Sequence, residues 1–156
     1  AVTKIASDLS DSRLVHDQKV KVSVIGQWYD LPERAVDAIK EVINSTRDYD
    51  NFFLNLCINY DGKEEIVDAC KLLARKIHSG KIEPDTITID MIKENIYSSF
   101  FMPPDIMIKA GMNSRLGGFL LWDSTNSFIH IIEKPGVELT EEDFLIAIRM
   151  WAVAKE

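Results

Sequence analysis

The chain is predicted to be an α/β protein, a mostly parallel sheet flanked by helices. Two observations predict this. Apolar runs of strand length alternate with stretches whose apolar side chains recur at helical spacing. The 156 residues are 46% hydrophobic and 28% charged, which suits one domain with an ordinary core. No repeat, low-complexity segment or linker interrupts them, so a single domain over residues 1–156 is expected.

The elements follow in order. Residues Ala1 to Arg13 are mixed and polar, unlike a secretory leader. Val20 to Ile25 alternates apolar and polar and meets Gly26, which reads as a strand and a turn. Leu31 to Ile43 sets Ala35, Ile39, Val42 and Ile43 at helical spacing behind an early Pro32. Phe52 to Ile58 is a dense apolar run, predicting a strand buried on both faces. Gly62 to Ile77 is the clearest helix. Its stripe is Ile66, Ala69, Cys70, Leu73 and Ile77, and Gly80 supplies the stop. Glu83-Pro84-Asp85 predicts a turn, and Thr88 to Tyr97 a shorter helix. Ile106 to Ile108, Gly118 to Trp122 and Phe128 to Ile132 read as strands. Thr140 caps a last helix with acids in its first turn, and Phe144, Ile148, Trp151 and Ala152 form its apolar stripe.

Composition narrows function. A net charge of −7 argues against a nucleic-acid partner and against a polybasic membrane anchor. It leaves room for a small cationic pocket. No apolar run approaches the roughly 20 residues that span a bilayer. Cys57 and Cys70 lack CxxC spacing and read as buried thiols in a reducing, cytoplasmic compartment. His16, His78 and His130 share no metal-ligand spacing. No G-x-S-x-G, GxxxxGK[ST] or GxGxxG occurs, so triad hydrolysis and nucleotide binding by those loops lack support.

Two stretches carry candidate chemistry. In the loop from Lys109 to Gly118, Lys109 and Arg115 supply charge. Gly111, Gly117 and Gly118 let backbone N–H groups approach a ligand. Such a loop suits a small anion such as a diphosphate. A flexible turn with two solvated cations is the alternative. The other stretch, Asn59-Tyr60-Asp61-Gly62-Lys63-Glu64-Glu65-Ile66-Val67-Asp68-Ala69, leaves a strand and opens a helix. Helix starts favour anions, and plain capping by Asp61 is the competing reading.

Both stretches resemble signatures of the cis-prenyltransferases, the undecaprenyl diphosphate synthase family. Asn59 to Ala69 is similar to N-Y-G-G-R-x-E-I-V-D-A, with Asp61 for a glycine and Lys63 for an arginine. Pro104 to Trp122 is similar to P-D-L-L-I-R-T-S-G-E-x-R-L-S-N-F-L-L-W. The resemblance implies an N-terminally shortened cis-prenyltransferase domain that lacks the family's D-G-N-x-R-W segment. It implies isopentenyl or allylic diphosphate as ligand, Mg2+ as the family's cofactor, and polyprenyl diphosphate synthesis as the pathway. It assigns diphosphate binding to Lys109, Arg115, Gly117, Asn59 and Glu65. Membrane contact is expected only through a lipid product.

The departures point to inactivity of the chain alone. Lys109 stands for an arginine, and Ala110 and Gly111 replace two hydroxyl-bearing residues. Gap-free alignment puts Phe128 where the family has a magnesium-binding acid, and phenylalanine offers no oxygen donor. Ile108 to Gly111 and Leu116 to Leu120 look like the Nogo-B receptor-type, non-catalytic subunits of this family. The expectation is therefore a non-catalytic subunit, bound to its own copies or to a catalytic cis-prenyltransferase. Part of an active enzyme is the second reading, and an α/β interaction module outside the family is the third. Association is expected through a sheet edge, the last helix or Phe100-Phe101-Met102.

Overall fold

The computed structural model describes residues 1–113, 115 and 117–155. The chain divides into two compact units, Ala1–Tyr60 and Asp61–Glu156. Each carries one two-stranded parallel sheet with its own helices.

The first unit holds α1 (Val2–Ser10), α2 (Arg13–Asp17), β1 (Val20–Ile25), α3 (Glu33–Thr46) and β2 (Phe52–Cys57). β1 and β2 pair in register from Val20 with Phe52 to Ile25 with Cys57. Helix α3 is the crossover that parallel strands require. Its inward row, Ala38, Ile39 and Val42, closes a core with Ala6, Val15 and Val22. Thr46 ends the row fully buried. Its hydroxyl donates to the Val42 carbonyl at 2.7 Å and accepts the Val22 N–H at 3.1 Å, tying helix to strand.

The second unit holds α4 (Gly62–His78), α5 (Ile89–Lys93), β3 (Ile106–Ala110), β4 (Phe128–Ile132) and α6 (Glu141–Ala154). β3 and β4 pair in parallel from Ile106 with Phe128 to Ala110 with Ile132. α6 packs on both strands, and its Ala147 is fully buried.

Several expectations need correction. Gly118 to Trp122 is a set of turns, not a strand. Gly117, Gly118 and Leu120 have φ of +76°, +98° and +45°, left-handed values that no extended ladder tolerates. Phe52 and Phe53 are 53% and 66% exposed. Leu54 and Leu56 pack against the core of this unit, while the strand's start is exposed, so β2 is not buried on both faces along its length. α5 stops at Lys93 rather than Tyr97, and the Asn95 side chain donates 2.7 Å to the Met91 carbonyl in place of a further helical turn. On α4 the buried row runs through Glu65, Ala69 and Leu73. Cys70 is exposed and Cys57 half-buried, so the two free thiols are not core residues. Phe144, Ile148 and Ala152 of the predicted α6 stripe are exposed, and Trp151 is half-buried.

The start of α6 carries a pH prediction. The Thr140 hydroxyl accepts the Asp143 N–H, and Asp143 in return accepts the Thr140 N–H at 2.9 Å, a reciprocal cap. The Lys134 ammonium, 2.7 Å from Asp143, and the two Thr140 donors hold the Asp143 carboxyl down to about 2, from an ordinary 3.8. A depressed carboxylate stabilises fully above its unfolded value and loses that contribution as pH falls through the folded one. Protection of the Asp143 and Phe144 amides, measured against their intrinsic exchange at each pH, should therefore fall as pH drops from about 4 to about 2. Asp143→Asn should remove that dependence.

Candidate functional site

The site begins where α4 begins. Asp61 caps the helix, its Oδ1 accepting the Lys63 N–H at 2.7 Å. Gly62 is buried, and its N–H donates to the Gly118 carbonyl at 3.1 Å. A Cβ on Gly62 would lie 2.3 Å from that oxygen and 2.9 Å from the Leu121 Cβ. Only glycine lets helix and loop meet so closely. The two stretches singled out in the sequence therefore touch, through Gly62 and Gly118.

Beneath this contact lies a buried network. Glu65, one turn into α4, is fully buried and accepts the Ser98 N–H at 2.9 Å. The Ser98 hydroxyl donates to Asp123 Oδ2 at 2.5 Å. The Lys93 ammonium donates to Asp123 Oδ1 at 2.6 Å and to the Ser98 carbonyl at 3.0 Å. The Tyr97 hydroxyl also donates to Asp68 of α4. Lys71 chiefly, and Tyr97 next, hold the Asp68 carboxyl below its ordinary value.

Lys109 lies near the end of β3, opposite Ile131. Its ammonium donates to Asn113 Oδ1 at 2.8 Å and to the Asn113 carbonyl at 3.2 Å, folding the loop back on itself. It shares the wall of an apolar cavity of about 340 Å³ with Ile106, Ile108, Phe119 and Leu120. Arg115 and Gly117 are exposed. Nothing lies within 4 Å of a Cβ built on Gly117, so its φ of +76° is what calls for glycine there. Leu116, within the stretch compared with the non-catalytic subunits, lies outside the described residues.

Asn59 belongs to the first unit, where it joins the ends of β1 and β2. Its carbonyl accepts the Gln27 N–H at 3.0 Å and its side chain donates to the Gln27 carbonyl at 3.1 Å. Gly26 sits beneath it, where a Cβ would meet the Ile58 carbonyl at 2.4 Å. Phe128 opens β4, at the far end of the ladder from Lys109. Glu65 is fully buried, and its carboxylate accepts the Ser98 N–H. Lys93, Ser98 and Asp123 escaped the sequence reading. The one local hint was an acid directly after the apolar run Phe119 to Trp122.

Comparison with known proteins shows the family. The family model Prenyltransf, undecaprenyl diphosphate synthase, matches residues 2–156. The chain is 33% identical to a tritrans,polycis-undecaprenyl-diphosphate synthase (geranylgeranyl-diphosphate specific) of Methanocaldococcus jannaschii, over 91% of this chain and 51% of that protein. It is 35% identical to the protein of the same description from Picrophilus torridus, over 90% and 55%. The chain thus spans about half the length of the curated relatives it matches. Among solved structures, lavandulyl diphosphate synthase from Lavandula x intermedia, in complex with dimethylallyl diphosphate, superposes with a TM-score of 0.88. It is 27% identical, covering 96% of this chain and 66% of that one.

Proposed function

Because the chain belongs to the undecaprenyl diphosphate synthase family, the cis-prenyltransferases, we propose that it serves polyprenyl diphosphate synthesis as a diphosphate-holding, non-catalytic subunit. The observation that carries this reading is the Gly62–Gly118 closure, which sets the loop holding Lys109 and Arg115 against a capped helix start. Lys109 acts as a point charge and Arg115 as a bidentate donor toward the diphosphate of isopentenyl or an allylic diphosphate. Gly117 keeps the loop backbone open to the ligand. Asn59 and Glu65 act as positioning residues in their own units. The partner is a catalytic cis-prenyltransferase subunit or further copies of this chain.

Ala110 and Gly111 support the non-catalytic reading, because neither offers a hydroxyl to a phosphate oxygen. The family's chemistry employs Mg2+, which wants several oxygen ligands in octahedral array. Two buried carboxylates beside α4 are bonded to protein donors, Glu65 to Ser98, and Asp123 to Lys93 and Ser98. Among the described residues no three His, Cys, Asp or Glu side chains gather as a metal cage. Mg2+ is therefore expected to be held in the assembled enzyme rather than by this chain alone. Among the described residues no helix is long and apolar enough to cross a membrane.

A second reading, part of an active synthase, is favoured by the relatives' descriptions and by the share of their length that the chain spans. The family match over residues 2–156 sets aside the interaction module outside the family.

Isothermal titration with isopentenyl diphosphate tests the binding. Saturable binding is expected, and Arg115→Ala should weaken it about tenfold or more while moving stability by less than about 0.5 kcal/mol, as for an exposed side chain. A large loss of melting temperature would instead make Arg115 structural. Labelled isopentenyl diphosphate supplied with geranylgeranyl diphosphate separates the two readings. The chain alone should give no polyprenyl product, and a product from it would establish the second reading.

A further inference from the structure

The trio of half-buried Lys93 with buried Asp123 and Ser98 carries no role above. We infer that it is the positioning device of the diphosphate site, holding the Gly117–Trp122 turns in register with the start of α4. The inference rests on the proposed diphosphate site for its ligand, and on the hydrogen-bond geometry alone for its structural content.

Asp123 directly follows the turns, and its side chain is 1% exposed. Its two oxygens are divided between Lys93 and the Ser98 hydroxyl, so the carboxylate has one rotational setting that satisfies both. Ser98 in turn donates its N–H to Glu65, three residues beyond Gly62 and on the same helical face. The turns are therefore tied to α4 twice. One tie is direct, Gly62 to Gly118. The other runs from Glu65 through Ser98 to Asp123.

The 3.1 Å contact at Gly62 has no side chain to guide it. Its alignment depends on groups further back. Lys93 supplies the counter-charge, and its 2.6 Å contact fixes one oxygen of the Asp123 carboxylate. The trio does not touch ligand. It sets where the loop's N–H groups stand when a ligand arrives, and supporting groups of this kind govern affinity through geometry.

Asp123→Asn tests this, with Lys93→Gln/Asp123→Asn as the rescue. The single change leaves Lys93 without its counter-charge. In the double variant two amides pair, and the Gln nitrogen can still donate to the Ser98 carbonyl. Hydrogen exchange at the Gly62 amide should accelerate about tenfold in Asp123→Asn, relative to the β3–β4 ladder amides, and return to within about threefold of the parent in the double variant. Affinity for inorganic diphosphate should fall and recover in parallel. Equal acceleration at Gly62 and in the ladder would reduce the trio to general stability and overturn the inference, as would no acceleration at Gly62. A parent chain that binds no diphosphate would reject the proposed function alone, because the exchange comparison still decides the role of the trio.

Discussion

Asp123→Ala is expected to cost about 3–5 kcal/mol, the largest loss foreseen for any single side chain here. The reason is what it leaves behind. Asp123 is buried, and its removal strands the Lys93 ammonium, whose side chain is only 24% exposed, together with the buried Ser98 hydroxyl. An uncompensated buried charge costs far more than the intact pair contributes. In a chain of this size the loss corresponds to a fall in melting temperature on the order of 10 °C. Lys93→Met/Asp123→Leu should cost clearly less than Asp123→Ala, because it removes both charges at once. Thermal denaturation of the two variants beside the parent gives the comparison. A double variant at least as damaged as the single one would mean that packing, not charge, governs the site.

Gly62→Ala is the second large effect, and its sign is the informative part. Near the start of an ordinary exposed helix, alanine in place of glycine stabilises by roughly 0.5–1 kcal/mol. Here the added methyl would sit 2.3 Å from the Gly118 carbonyl oxygen and 3.0 Å from the Leu121 N. Both are backbone atoms, so no side chain can swing aside. The loop must withdraw from α4 instead, and overpacking of this kind costs about 1–3 kcal/mol. Gly62→Ala should therefore lower the melting temperature and weaken isopentenyl diphosphate binding together. A neutral or stabilising outcome would show that helix and loop do not approach as closely as the geometry states.

What the sequence disclosed depended on whether the controlling interaction was local. β1, β2, β3 and β4 fell where apolar runs of strand length predicted, and α3 and α4 where side chains recur every three to four residues. Thr140 and the acids behind it marked the start of α6, because capping acts within one turn. Gly118 to Trp122 misled because its apolar composition suits a strand, while the backbone is ruled by the left-handed Gly117, Gly118 and Leu120. Cys70 shared a helical stripe with Ala69 and Leu73, yet the buried face of α4 is turned toward Glu65.

The candidate site was legible to the same extent. Lys109, Arg115 and Gly117 stood out because glycines and cations lie side by side in the chain. The partnership of Lys93 with Asp123 spans thirty positions, and nothing near either residue announces it. Glu65 was singled out by its motif, but its burial and its bond to Ser98, thirty-three positions away, were not legible locally.

Amide chemical-shift mapping during titration with isopentenyl diphosphate tests the central claim most directly, namely that the opening turn of α4 and the Lys109–Trp122 loop receive one diphosphate. Saturable shifts shared by Gly62 to Glu65 and by Lys109, Arg115, Gly117 and Gly118, all following one binding curve, are the predicted result. Shifts confined to other elements, or two curves of different affinity for the helix start and the loop, would contradict it.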